Sequence, residues 1–162
     1  MLDDRVHPVA RSAQRLRVAE DVELVGRHGV EHLLCHLGCR HLARADGLVA
    51  HGLPDQLALA HIGAVDVVLH SARTALAAAA SSVDDPDAAD DEAQVLSLRT
   101  RAIVANAAET VLQRVGHALG PTPLVSDEDH ARRVADLELY IRQHHAERDD
   151  VALGTLLLER GE

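Results

Sequence analysis

The sequence almost lacks aromatic side chains, because its 162 residues include one Tyr and no Phe or Trp. Its core must therefore be built from Ala, Leu, Val and Ile, a composition that favours closely packed helices over a sheet sandwich. Runs of alternating polar and apolar residues, which predict strands, are also missing from the sequence. We therefore expect an all-α protein.

Three further shortages exclude classes of protein. The formal net charge is −10, whereas broad nucleic-acid binding needs a basic face. No uninterrupted apolar run approaches the roughly 20 residues that span a bilayer, and the acidic start lacks the apolar core of a secretory signal. The two cysteines, Cys35 and Cys39, are too close together for a disulfide framework. We expect a soluble cytoplasmic protein without nucleic-acid or membrane partners.

Helical periodicity is clearest in the middle of the chain. It predicts one helix over 56–83 and a second over about 90–119, with an acidic run between them. The first apolar stripe consists of Ala58, Ile62, Val65, Leu69, Ala72 and Leu76. The second consists of Val95, Leu98, Ala102, Ala105, Ala108, Leu112 and Val115. Two helices of this length, joined by a short connection, predict an antiparallel pair.

Shorter helices follow towards the C-terminus. The Gly120-Pro121 pair is typical of a helix end, and Ser126 or Asp127 is a good N-cap for a third helix. The apolar positions of that helix are Val134, Leu137 and Ile141. A short final helix over about 150–159 would cover the end of the bundle. Residues 55–162 are therefore predicted to form an antiparallel helical bundle of long Ala/Leu-rich helices.

Residues 1–54 have a different composition, rich in His and Arg with scattered Gly. A helical period is visible over 18–37, but its glycines weaken a helix by about 1 kcal/mol each. We predict a helical or irregular segment that is distinct from residues 55–162. GC-rich DNA translated in the wrong reading frame has a similar composition, so a frameshifted N-terminus is an alternative hypothesis.

Four potential metal ligands in this segment share one helical face: His32, Cys35, His36 and Cys39. Imidazole and thiolate are the ligands that zinc prefers. Four ligands from one short helix do not readily complete a tetrahedron, and the spacing matches no standard zinc finger. A metal-binding module is therefore a minor alternative to a coincidence of composition.

Residues 116–149 carry a resemblance to a known family. They contain the Leu119-Gly120 turn, an acidic cap, a helix with Asp136 and, at its far end, the paired His144 and His145. This order resembles the C-terminal helical domain of the acyl-CoA dehydrogenase family, and the likeness extends through the long helices to about residue 56. The chain departs from the family pattern at His117, where the family has Gln, and at Pro121, where it has Gly.

The resemblance implies FAD-dependent oxidoreduction of an acyl-CoA, or a related flavin reaction such as a monooxygenation, in a homo-oligomer. Because the family's turn contacts the flavin of a neighbouring subunit, His117 and Gly120 become cofactor-binding candidates. His144 falls where many members have their catalytic Glu and is the candidate base, with Glu147 as the alternative. Residues 1–54 cannot encode the family's other two domains, so we expect this chain alone to be inactive.

Two simpler interpretations remain open. Paired histidines at a helix end often cap the last carbonyl groups and interact favourably with the helix dipole. The chain as a whole could also be a non-catalytic helical protein that oligomerises through its bundle face, because the bundle architecture alone does not indicate a function.

Overall fold

The computed structural model describes residues 49–50, 53–54, 56–84, 90–142 and 145–161. Its elements in chain order are β1 (Val49–Ala50), β2 (Leu53–Pro54), α1 (Gln56–Asp84), α2 (Asp90–Leu119), α3 (Thr122–Ser126), α4 (Glu128–Arg142) and α5 (Ala146–Arg160). Within these ranges the prediction of an all-α fold is confirmed. The exception is the two-residue antiparallel pairing of β1 with β2.

Helices α1 and α2 form a long antiparallel pair. Their bounds agree with the helices predicted over 56–83 and 90–119. The ring of His61, near the start of α1, lies 6.4 Å from the ring of His117, near the end of α2, which fixes the antiparallel direction. At 1.5 Å per residue, each helix is roughly 44 Å long.

The core is an aliphatic seam between α1, α2 and α4. Its buried members are Val65, Leu69, Ala72, Val104, Ala107, Ala108, Val111, Val115 and Leu137. The predicted stripe of α1 is confirmed, since Ile62 and Leu76 also pack against this cluster. In α2 the buried set includes Val104, Ala107 and Val111, which the sequence analysis did not select. The reason is that α2 packs against α1, α4 and α5, so its buried face is wider than one stripe.

The Gly-Pro turn makes a sharp connection from α2 to α3. Gly120 has a positive φ of 65°, which favours glycine, and its N–H donates to the carbonyl of Gly116 at 2.9 Å. Pro121 then occupies the N-cap position of the five-residue helix α3. The sequence analysis did not predict α3, because five residues are too few to display a helical period.

Asp127 is the N-cap of α4, as the sequence predicted. Its side-chain oxygen Oδ1 accepts a hydrogen bond from the backbone N–H of His130 at 3.0 Å, and its carbonyl accepts from Ala131 at 3.0 Å. Further along α4, Leu137 is fully buried in the core. The cap therefore fixes the start of a helix that Leu137 anchors.

Helix α5 begins at Ala146, one turn earlier than the sequence predicted. Glu147 and Asp149 lie in its first turn, where negative charge interacts favourably with the helix dipole. Asp149 also forms an ion pair with Arg101 of α2, with 3.2 Å between the charged atoms. None of the α5 side chains is fully buried, so this ion pair contributes directly to its attachment.

By length and composition alone, one helix among the described residues could cross a membrane. It spans Gln56–Ser82 with a mean hydropathy of 1.2, and 22% of its apolar window is buried. The sequence did not predict such a segment, because Asp66 and Arg73 interrupt its apolar residues. The core helix of a soluble protein passes the same test, so this is a weak argument for a membrane span.

Candidate functional site

The two cofactor-binding candidates lie together at the C-terminal end of α2. The side chain of His117 is exposed. At Gly120, an added Cβ would meet no atom within 4 Å, so the space beside the backbone is open. Glycine is required here by the positive φ and not by close contact with a neighbouring group. The turn therefore presents an open stretch of backbone next to an exposed imidazole.

The structure adds His61 and Arg114 to this end of the bundle. The ring of His61 meets that of His117 edge-on, with 69° between the ring planes. Among the described residues, neither Nδ1 of His61 nor Nε of Arg114 has a hydrogen-bond partner, although both atoms are buried. Arg114 lies three residues before His117 on α2. Residues at this spacing are neighbours on one face of a helix, so the two side chains extend from adjacent turns of the same face.

No sequence pattern singles out His61 or Arg114. The signal that could have found them is positional. In an antiparallel pair, residues near the start of the first helix face residues near the end of the second. Pairing the predicted helices end to end would have placed His61 opposite the last turns of α2.

A third group that the sequence analysis missed is His130, which is only 3% exposed in the first turn of α4. Burial lowers the pKa of His130 below its ordinary value of 6.5. The Asp127 carboxylate opposes this shift and Arg133 adds to it. A neutral imidazole also suits the start of a helix, where the dipole disfavours positive charge. His130 is therefore a buried, packed residue in the first turn of α4.

Of the two catalytic candidates the structure describes Glu147, which lies in α5, beyond the C-terminal end of α4. His144 lies outside the described residues. His145 is exposed and precedes α5, and its carbonyl accepts hydrogen bonds from the N–H groups of Arg148 and Asp149 at 2.8 and 3.0 Å. Its side chain makes no capping hydrogen bond to α5. The side chain of Glu147 is exposed in the first turn of α5.

The two sets of candidates are far apart within one chain. The start of α5 is held at Arg101 by the ion pair with Asp149. His117 lies about 24 Å further along the same helix, at 1.5 Å per residue. The structure thus places the rings of His61 and His117 together near the Gly120 turn, with Arg114 three residues before His117 on α2. The start of α5, which includes Glu147, is held near Arg101 instead.

Within the described ranges, no three His, Cys, Asp or Glu side chains are grouped closely enough to hold a metal ion. The His32, Cys35, His36 and Cys39 set lies outside those ranges. The minor hypothesis of a metal-binding module therefore stays a prediction from the sequence.

Comparison with known proteins yields no match, whether with protein-family models, curated proteins or solved structures. The Gly120 turn offers an exposed imidazole, that of His117, and open space beside the backbone. The junction between α4 and α5 offers the exposed side chains of His145 and Glu147.

Proposed function

We propose that this chain is the C-terminal helical domain of an FAD-dependent oxidoreductase similar to the acyl-CoA dehydrogenases. The reaction is oxidation of the Cα–Cβ bond of an acyl-CoA or a related flavin reaction, with FAD supplying the electron acceptor when bound. The observation that carries the proposal is the open Gly120 turn, which follows a long antiparallel helix pair as the resemblance implies.

The chemistry of the turn end is compatible with a flavin nucleotide. A flavin dinucleotide carries a pyrophosphate and ring carbonyl and nitrogen acceptors, which require hydrogen-bond donors. His117 is exposed beside the turn, and the open space at Gly120 allows close approach to the backbone. His117 and Gly120 would hold the edge of the cofactor.

The separation of the candidates supports a shared site in a homo-oligomer. His117 is about 24 Å along α2 from the position where α5 is attached, so one copy does not bring Glu147 to its own turn. If each copy presents its turn to a neighbour, the cofactor contact and the base come from different chains. In that scheme His144, or Glu147 in its place, removes the proton from Cα of the substrate.

The test is flavin binding by the purified chain. We expect flavin absorption bands in the preparation, or recovery of those bands on adding FAD. We also expect His117→Ala to weaken FAD binding while His70→Ala, which alters an exposed histidine of α1, does not. A colourless preparation that fails to bind added FAD would contradict the proposal.

The assignment of the base is tested in a complete flavin-loaded enzyme, in which this chain is combined with the family's other two domains, because we expect the chain alone to be inactive. His144→Ala should abolish turnover and leave FAD binding intact, because the base acts on the substrate and not on cofactor affinity. If His144→Ala retains turnover and Glu147→Ala loses it, then the base is Glu147.

A second candidate function, non-catalytic oligomerisation, is favoured by one observation. Three apolar side chains of α1 are exposed: Leu57 at 68%, Leu59 at 52% and Val67 at 63%. Exposed apolar side chains provide surface that a protein–protein contact can bury. A colourless chain whose oligomer dissociates in the variant Val67→Glu would support this function over the flavin proposal.

A further inference from the structure

Arg114 is an unusual arginine in this chain. Carboxylates are abundant, since the sequence has 26 Asp and Glu against 16 Lys and Arg. The partly buried Arg101 accordingly has a carboxylate partner, Asp149. Arg114 is also partly buried, yet within the described ranges it has no ion pair and its Nε is buried without a partner.

A buried guanidinium N–H without an acceptor is unfavourable, because burial removes hydration from Nε of Arg114 and no hydrogen bond among the described residues replaces it. An oxyanion supplies what is missing, because its oxygens accept from the planar fork of the guanidinium. Arg114 therefore has the chemistry of an anion-binding residue.

Two imidazoles reinforce this chemistry at the same end of the helix pair. His117 leaves α2 one turn after Arg114, and the ring of His61 lies 6.4 Å from the ring of His117. Nδ1 of His61 is a second buried nitrogen without a partner among the described residues. Among the described residues, no carboxylate lies within ion-pair distance of Arg114, so none competes with an added anion for this side chain.

We propose that His61, Arg114 and His117 form a binding site for a phosphate group of a small-molecule ligand. A phosphate offers more acceptor oxygens than a carboxylate, and it matches a guanidinium fork flanked by imidazole N–H groups. The ligand class follows from these three side chains, so the inference does not depend on the flavin proposal, although the two sites share His117.

The experiment is titration of the full chain with inorganic pyrophosphate, followed by calorimetry and by phosphorus NMR. We expect saturable binding that Arg114→Gln weakens by about tenfold or more, because a charge-assisted hydrogen bond is lost. The affinity of Arg114→Lys for pyrophosphate should lie between those of Arg114→Gln and the unmodified chain, since lysine keeps the charge but lacks the planar guanidinium fork. Arg142→Gln, which alters an exposed arginine of α4, should bind like the unmodified chain.

His117→Gln provides a second variant, because an exposed side chain can be changed without disturbing the fold, as circular dichroism would verify. It should weaken pyrophosphate binding by a few-fold through the loss of one imidazole donor. The proposal is overturned if pyrophosphate does not bind at millimolar concentration, if Arg114→Gln binds equally well, or if acetate competes as effectively as phosphate.

Titration with FAD separates this inference from the proposed function. If pyrophosphate binds and FAD does not, the result supports the phosphate site and contradicts the flavin proposal. Binding of FAD that is unaffected by Arg114→Gln, with no binding of pyrophosphate, contradicts the phosphate site alone.

Discussion

The two ends of α4 are built differently. At its start, Asp127 caps the helix, His130 is buried and Gly120 holds a left-handed turn. At its far end, α5 has no fully buried side chain and is attached to α2 partly through the Arg101–Asp149 ion pair. The start of α4 is thus fixed by packing and capping, whereas the attachment of α5 includes a partly buried ion pair and no fully buried side chain.

This difference fits the division of roles that we propose. A contact that orients a cofactor gains from preorganised backbone, as at the Gly120 turn. A proton-transferring group gains from access to the substrate, and Glu147 is exposed. The predictions below probe how strongly each end is held, beginning with the residue of largest expected effect.

Leu137→Ala should lower the free energy of unfolding by about 2–5 kcal/mol, because it removes a fully buried side chain and leaves a cavity between α4 and the long pair. Denaturant unfolding followed by circular dichroism measures the loss. Leu139→Ala, on the same helix but 63% exposed, is the control and should change stability little. Equal losses in both variants would show that α4 is not anchored as described.

Asp127→Ala should cost about 1 kcal/mol, because the N–H of His130 loses its acceptor and the first turn of α4 loses a favourable charge. The matched control is Asp136→Ala, which removes an exposed carboxylate from the middle of the same helix. Hydrogen exchange should become faster in the first turn of α4 in the first variant only. Unchanged exchange there would show that the Asp127 side chain does not stabilise the start of α4.

Acid should loosen the start of α4 before the start of α5. The pKa of His130 is lowered mainly by burial, so below pH 6.5 the unfolded chain binds a proton that the folded chain resists. The contribution to stability is intact above 6.5 and is lost as the pH falls towards the folded value. Hydrogen exchange at pH 7.5 and 5.5 should show this loss, and His130→Gln should reduce it. A pH response confined to α5 would contradict this assignment.

The ion pair that holds α5 should have the smallest effect. A double-mutant cycle with Arg101→Gln and Asp149→Asn should give a coupling energy of about 1 kcal/mol or less, because both side chains are partly exposed. The coupling should decrease in high salt. A coupling as large as the loss in Leu137→Ala would mean that both ends of α4 are held equally firmly.

The sequence predicts the parts of the fold that depend on a long repeated pattern or on residues close together in the chain. The helices 56–83 and 90–119 repeat their apolar period many times, and Gly120-Pro121 marks the end of α2 by backbone chemistry. Asp127 is recognisable as a cap because capping needs only its own side chain and the N–H groups that follow.

The parts that the sequence does not predict depend on neighbours distant in the chain. Burial of Val104 and Val111 follows from α2 having several packing partners, and the start of α5 is attached through Arg101. The grouping of His61 with Arg114 and His117 requires the register of an antiparallel pair, which no local pattern encodes.

The most direct test of the central claim is a set of FAD dissociation constants for three chains: unmodified, His117→Ala and Glu147→Ala. The account predicts that FAD binds, that His117→Ala weakens binding by about tenfold through loss of a donor beside the turn, and that Glu147→Ala leaves it unchanged. Absence of FAD binding by the unmodified chain, or equal affinities in all three, would contradict a flavin contact at the Gly120 turn.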